Sequence, residues 1–238
     1  MIKRLFTCPK CDSDLTRTQA VLGWCYVPLH IFVIPILASM LVYFMPGKPS
    51  GVDVNKVYFG AGVVFVLIVM GGWLRRNFEV LLDHPGRCAL CLAIGFAADY
   101  ALSLAIQLIF LLVLGGSENP NNAELARMTE ADFGAMLGIT VFLAPIVEET
   151  LFRGVVFGTI RRKNRVIAYV VSILLFSFLH VWQYLLTEAD WRLLIYVLQY
   201  IPISFVLAWQ YERSGSIWTP IAFHMLFNAV AFALMEVV

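Results

Sequence analysis

The stretch APIVEETLFRG, residues 144–154, places three charged side chains inside a long apolar run. They are Glu148, Glu149 and Arg153. A charged side chain at the centre of a membrane helix costs about 2.5–3.5 kcal/mol on insertion scales, so such residues usually face a partner or a water-filled cavity. Two questions follow: whether the chain lies in a membrane, and what these three charges face.

The composition answers the first question. The chain has 238 residues, of which 61% are hydrophobic and 14% charged, whereas soluble domains average about 45–50% and about 25%. A soluble fold of this size would lack polar cover, so we predict an all-α, polytopic transmembrane helical bundle. Seven apolar runs of spanning length predict about seven spans, with an eighth half-span left open: 21–45, 57–74, 88–114, 133–160, 166–186, 192–210 and 216–236.

The basic residues predict the orientation. Residues 1–20 form an N-terminal arm with four bases and a CxxC pair, and residues 21–238 form the transmembrane domain. Further bases lie in alternate loops, at 75–87, 161–165 and 213, while the loop at 115–132 is acidic. The positive-inside rule therefore places the N-terminus in the cytoplasm and the C-terminus outside. The net charge of +1 gives no indication of nucleic-acid binding.

Spacing separates the three charges in the opening stretch. Glu149 and Arg153 are four residues apart, which stacks them on one helix face as an ion pair. Glu148 points about 100° away and has no local partner. Pro145 cannot donate a backbone hydrogen bond, so we expect the helix to kink or open there. The ion pair is interpreted either as structural or as support for Glu148, with no preference between them.

Two later helices carry polar residues at a similar depth. Phe176 and His180 are four apart on one helix, and His224 and Asn228 are four apart on another. At 1.5 Å per residue, these residues and Glu149 lie about 12–21 Å from the assumed cytoplasmic ends, close to mid-bilayer. A desolvated Glu148 would be a good base for water, with His180 holding that water. His224 and Asn228 would be neutral donors to an oxyanion.

Other interpretations remain open at this point. Two histidines and one glutamate also suit a zinc site with an open position, although no His-Glu-x-x-His run is present. A transporter that relays protons through Glu and His is a further alternative, which the lack of an internal repeat disfavours. Asp99, His30 and Gln107 are interpreted as structural polar contacts.

The three ordered motifs are similar to those of a known family. Glu148-Glu149-x-x-x-Arg153, Phe176-x-x-x-His180 and His224-x-x-x-Asn228 resemble the motifs of the CAAX protease and bacteriocin-processing (CPBP) family, also called type II CAAX prenyl endopeptidases or the ABI family. The resemblance covers roughly residues 130–238.

The resemblance implies an intramembrane glutamic-type peptidase in a prokaryotic cell membrane. Its substrate would be a membrane-associated peptide or protein, with or without a lipid or a C-terminal tail. It implies that Glu148 activates water with His180, that His224 and Asn228 hold the oxyanion, and that Glu149 pairs with Arg153. A non-catalytic immunity or scaffold protein of the same fold is the alternative. No cofactor is expected, although the family's earlier description as metalloproteases leaves a metal open.

The cysteines suggest a separate structural site. Two CxxC pairs, Cys8 with Cys11 and Cys88 with Cys91, both fall on the expected cytoplasmic side. Four thiolates are a common ligand set for structural zinc, so a composite zinc site is one hypothesis. Its competitor is that Cys88 and Cys91 are free thiols packed in an apolar helix.

Overall fold

The computed structural model describes residues 14–47, 49–115 and 119–235. These ranges contain helices and no β-strand, which confirms the all-α prediction. The helices are Arg17–Tyr43 (α1), Gly51–Asp83 (α2), Pro85–Leu114 (α3), Pro120–Ala131 (α4), Phe133–Arg161 (α5), Arg165–Leu179 (α6), Trp182–Thr187 (α7), Trp191–Ser214 (α8, whose first turn is a 3-10 helix) and Trp218–Met235 (α9).

Five of these helices are long and apolar enough to cross a membrane: α1, α2, α3, α5 and α8. Two more, α6 and α9, are apolar but shorter. Together they correspond to the seven apolar runs of the sequence. The protein is therefore an integral, polytopic helical bundle.

The fifth predicted run, 166–186, is divided in the structure. The α6 helix ends at Leu179, and α7 begins at Trp182. The break follows from the His180 side chain, whose Nδ1 lies 2.9 Å from the Phe176 carbonyl oxygen. The backbone N–H of His180 bonds instead to the Ser177 carbonyl, three residues back. A histidine side chain thus replaces the backbone donor that would have continued the helix.

The polar loop expected at 115–132 contains the short helix α4. Its N-cap is Asn119, whose Oδ1 accepts from the Asn121 backbone N–H at 2.9 Å. Pro120 follows at the first helical position, where its missing N–H has no cost. The Asn-Pro pair is a standard helix start, and a more local reading of the sequence could have found this helix.

The α5 helix lies at the centre of the bundle. In its most apolar 18-residue window 61% of residues are buried. Neighbouring helices reach it at glycines. A Cβ on Gly62 of α2 would lie 2.9 Å from the Val147 side chain, and a Cβ on Gly154 would lie 2.6 Å from the Trp73 indole. These close contacts hold α2 against the two turns that flank the charged stretch.

Wider, π-type turns occupy Gly138–Leu143 and Thr150–Phe157 of α5, on both sides of Pro145. The helix therefore opens around Pro145 without breaking. In the first of these turns the Ala144 N–H bonds to the Ile139 carbonyl, five residues back. The next bond in that pattern would join Pro145 to the Thr140 carbonyl, and proline has no N–H to make it. The Thr140 carbonyl is therefore left for another donor.

Candidate active site

The Glu149–Arg153 pair lies fully inside the bundle. Arg153 Nη1 donates to Glu149 Oε1 at 3.1 Å, and neither side chain is exposed. Arg153 Nη2 also donates to the carbonyl and the Oγ of Ser204, at 3.0 and 2.9 Å. The guanidinium lies 4.2 Å from the centre of the Phe176 ring. The charge of Arg153 is thus compensated from α5, α6 and α8 together.

Glu149 has a second partner that the sequence spacing did not show. Its Oε1 lies 2.9 Å from Nδ1 of His224 on α9. An ionised carboxylate only accepts hydrogen bonds, so the proton is on Nδ1. A neutral His224 then carries a lone pair at Nε2 and cannot donate there. Donation from Nε2 therefore requires a second proton, which makes His224 an imidazolium and not the neutral donor that was expected.

His180 is fixed in the same tautomer by a different group. A backbone carbonyl accepts only, so the 2.9 Å contact with Phe176 places the proton of a neutral ring on Nδ1. Nε2 is then an acceptor. The imidazole packs against the rings of Phe176 and Tyr200, with centroid distances of 4.9 and 4.5 Å. Both histidines therefore present an Nε2 lone pair.

Glu148 differs from its neighbour. Its side chain is 4% exposed, and its Oε2 is buried with no hydrogen-bond partner among the described residues. It lies within electrostatic range of His224 and Arg153. Glu149 is held by an arginine and a histidine through Oε1, although its Oε2 also has no partner among the described residues. The Glu148 side chain has neither an ion pair nor a hydrogen bond in the described ranges, which leaves it available to a ligand.

Asn228 connects α9 to the open turn of α5. Its Nδ2 donates to the Thr140 carbonyl at 2.7 Å. This is the carbonyl that Pro145 leaves without a backbone donor. A primary amide has two N–H groups, so one N–H of Asn228 remains for a ligand.

The donor set does not fit a metal centre as placed. A fixed Nδ1–H and a bare Nε2 are typical of histidine ligands. Among the described ranges, however, no three His, Cys, Asp or Glu side chains lie where they could hold one ion. The proposed hydrolysis therefore uses no metal.

The structure describes two of the four cysteines in the proposed zinc site. Cys8 and Cys11 lie outside the described residues. Cys88 and Cys91 are buried free thiols near the start of α3. The composite zinc site stays a prediction.

The other polar residues singled out in the sequence lie apart from this cluster. His30 is fully buried and its Nε2 lies 2.8 Å from the Tyr58 hydroxyl. Asp99 is 3% exposed, and Gln107 is exposed on α3.

Two contributing residues on α8 were not predicted. Tyr200 stacks on His180, and Ser204 holds Arg153. They are four residues apart, so they occupy one face of α8. Polar residues at that spacing inside the apolar run 192–210 were the available signal.

The bundle thus buries Glu148 and Glu149 with His224, and His180 packs against the same Phe176 ring as His224. This arrangement defines an integral membrane protein with an intramembrane cluster of Glu and His. Residues 131–230 match the family described as type II CAAX prenyl endopeptidase Rce1-like. The resemblance read from the three motifs is thereby confirmed over these residues. The match is shorter than half of the chain.

A curated relative matches a longer part of the chain. The UPF0177 protein YajF of Lactococcus lactis subsp. lactis (strain IL1403) is 28% identical over 138 residues, covering 56% of this chain and 66% of that protein. The chain thus spans just under two thirds of that relative's length. No solved structure matches the chain.

Proposed function

We propose that this protein is an intramembrane endopeptidase that hydrolyses a peptide bond of a membrane-associated substrate. The observation that carries the proposal is the buried cluster in which Glu148 has no described partner at Oε2, Glu149 contacts His224, and His180 packs against the same Phe176 ring as His224. The match of residues 131–230 to a family of endopeptidases supports it. Lipidated and C-terminally tailed substrates both remain within this class.

The first step is the activation of water. A water molecule at Glu148 donates one hydrogen to the carboxylate and the other to Nε2 of His180. Glu148 takes the proton as the water oxygen attacks the carbonyl carbon of the scissile bond. General-base catalysis of this kind contributes about 10²–10⁴-fold.

The second step concerns the oxyanion. The free N–H of Asn228 donates to it, and His224 donates from Nε2 when the ring is an imidazolium. Glu149 stabilises that imidazolium through the 2.9 Å contact at Nδ1, as carboxylates do in carboxylate–histidine pairs. Glu148 then returns its proton to the leaving amine, which restores the carboxylate and completes hydrolysis. The oxyanion thus receives a hydrogen bond from the positively charged His224 imidazolium, in place of the neutral donor expected from the sequence.

The orientation forms part of the proposal: the N-terminus is cytoplasmic and the membrane is that of a prokaryotic cell. Two ion pairs support a common side for the segments predicted to share one. Asp14 pairs with Arg162 at 3.1 Å, which brings the N-terminal arm to the loop after α5. Lys56 pairs with Asp132 at 3.3 Å, which joins the start of α2 to the start of α5.

Glu148→Gln tests the function. It keeps the size of the side chain and removes the base, so we expect cleavage to fall by at least about 10²-fold with little change in folding. The measurement compares, by mass spectrometry, the termini of membrane proteins from cells that carry the wild type, the variant or neither. Thermal unfolding in detergent provides the folding control.

Three results would count against the proposal. Full cleavage by Glu148→Gln would remove Glu148 from the mechanism. Identical termini with and without the wild type would favour the immunity or scaffold alternative. A proton flux in liposomes that Glu148→Gln abolishes would favour the transporter.

A further inference from the structure

Tyr200 lies on α8, outside the three motifs, and contacts His180 directly. We propose that Tyr200 is a positioning residue that fixes the plane of the His180 ring, which keeps Nδ1 on the Phe176 carbonyl and Nε2 directed at the reacting water. The catalytic meaning of this inference rests on the proposed function. The positioning itself can be measured without any substrate.

His180 needs support because of its place in the chain. It follows the last residue of α6, and its backbone N–H makes a 3.3 Å bond to Ser177 in place of a regular helical bond. Beyond the helix end, the turn leaves the side-chain torsions to other contacts. One contact is local, the Nδ1–H bond to the Phe176 carbonyl. It sets the tautomer but acts at one edge of the ring.

Tyr200 fixes the plane of the ring. The two centroids lie 4.5 Å apart with 24° between the planes, which is a stacked pair. Phe176 also packs against the imidazole, at 4.9 Å and 47°. Aromatic pairs of this kind contribute about 0.5–1.5 kcal/mol beyond their buried area. A rotation of the imidazole about its own axis would have to displace one of these two rings.

Tyr200 is itself held from a distant segment. Its hydroxyl accepts from Nδ2 of Asn119 at 3.1 Å, and the same nitrogen donates to Gln199 at 2.7 Å. Asn119 is 6% exposed and caps the start of α4. The contact chain from Asn119 through Tyr200 to His180 therefore fixes the ring from outside its own helix. Because Tyr200 and Ser204 share a face, α8 supports both His180 and Arg153.

Removal of this support has a specific consequence. A neutral imidazole has two tautomers, and an unclamped ring can also turn its Nε2 away from the water. Misplacement of a catalytic group by about 1 Å can cost about 10²-fold in rate. The loss should appear in kcat, since Tyr200 positions a group that acts in the transition state.

The test is nuclear magnetic resonance of the full-length protein in detergent, labelled with ¹⁵N-histidine. The chain has four histidines, so His180 can be assigned by comparison with His180→Gln. In the wild type we expect a single Nδ1-protonated form for His180. Tyr200→Leu should give shifts averaged between tautomers and a kcat lowered by about tenfold or more, with KM changed less. Tyr200→Phe keeps the stacked ring and loses only the hydrogen bond from Asn119, so its effect on both readouts should be much smaller than that of Tyr200→Leu.

Tyr196→Leu is the matched control, because Tyr196 lies one turn earlier on α8 and packs against Phe110 at 5.8 Å. It should leave the His180 signals unchanged. Asn119→Ser is the second variant: serine still caps α4, but it cannot donate to Tyr200 as the amide does. It should move the His180 signals in the same direction by less, and it decides the matter if Tyr200→Leu does not fold.

Wild-type His180 signals in folded Tyr200→Leu, or in Asn119→Ser where the leucine variant does not fold, would overturn the positioning role. A shift of the His180 signals in Tyr196→Leu as large as in Tyr200→Leu would overturn it as well. This outcome is separate from that of the proposed function. Full cleavage by Glu148→Gln would contradict the peptidase mechanism, whereas the measurement of the His180 tautomer would remain valid.

Discussion

The helices α3 and α5 are similar in composition but differ in how deeply the bundle buries them. Both are long and apolar, with a mean window hydropathy of 1.9 for α3 and 1.6 for α5, and both carry acid near the middle. In α3 only 17% of that window is buried, against 61% in α5. The less apolar helix is the more buried one. Hydropathy indicates that a helix lies in a membrane, whereas buried charge indicates which helix lies inside the bundle.

The difference follows from what each acid requires. Glu149 is shared by Arg153 and His224, and these partners come from its own helix and from α9. Such contacts are available only at the centre of the bundle. Asp99 of α3 is 3% exposed, but it forms no ion pair with any residue in the described ranges. Along the rest of α3, leucines such as Leu104 and Leu112 are 56% and 76% exposed, as suits a face toward lipid.

The largest loss of stability in this comparison is expected for Arg153→Met in α5. It keeps a long apolar side chain but leaves the buried Glu149 without its cation and Ser204 without its donor. Breaking a buried pair on one side costs about 3–5 kcal/mol. Thermal or denaturant unfolding in detergent measures the loss.

Two further variants sharpen that measurement. Arg75→Met removes an exposed i, i+4 pair with Glu79 and should change the stability by less than about 1 kcal/mol. Adding Glu149→Gln to Arg153→Met removes the uncompensated charge and should recover part of the loss. A stable Arg153→Met protein would show that α5 does not depend on its charges.

The second largest loss of stability is expected for Gly154→Ala, and its cause is steric. The added methyl would lie 2.6 Å from the Trp73 indole, so α2 and α5 would have to separate. Overpacking of this kind costs about 1–3 kcal/mol. Gly138→Ala is the control in the same helix, because nothing lies within 4 Å of its Cβ position. Equal stability of the two variants would contradict the close packing of α2 on α5.

The residues that could be predicted from the sequence are those whose partners are close in the chain. Spacing was sufficient for Glu149 with Arg153 and for Phe176 with His180, because positions four apart share a helix face. The bond between Glu149 and His224 joins residues 75 positions apart, and no periodicity reports such a contact. The stacking of Tyr200 on His180 could not be predicted either, because these residues lie on different helices.

Helix ends formed the second limit of prediction. Apolar composition continues from 166 to 186, so nothing in the hydropathy marks the end of α6 at Leu179. The end coincides with a side-chain bond from His180 to the Phe176 carbonyl, and the same ring stacks on Tyr200, a residue of another helix. The feature that shortens α6 is therefore the same one that presents His180 to the site.

The smallest effect is expected for Asp99→Asn in α3. The substitution keeps the shape of the side chain and removes a buried charge with no described counter-ion, so the desolvation cost falls. We expect the stability to change by less than about 1 kcal/mol and cleavage to stay at the wild-type level, as unfolding in detergent and the comparison of membrane-protein termini would show. Glu148→Gln is the matched variant in α5, since it also neutralises one buried acid. Loss of cleavage in both would mean that α3 carries function as well, and the contrast between the two helices would then be one of exposure alone.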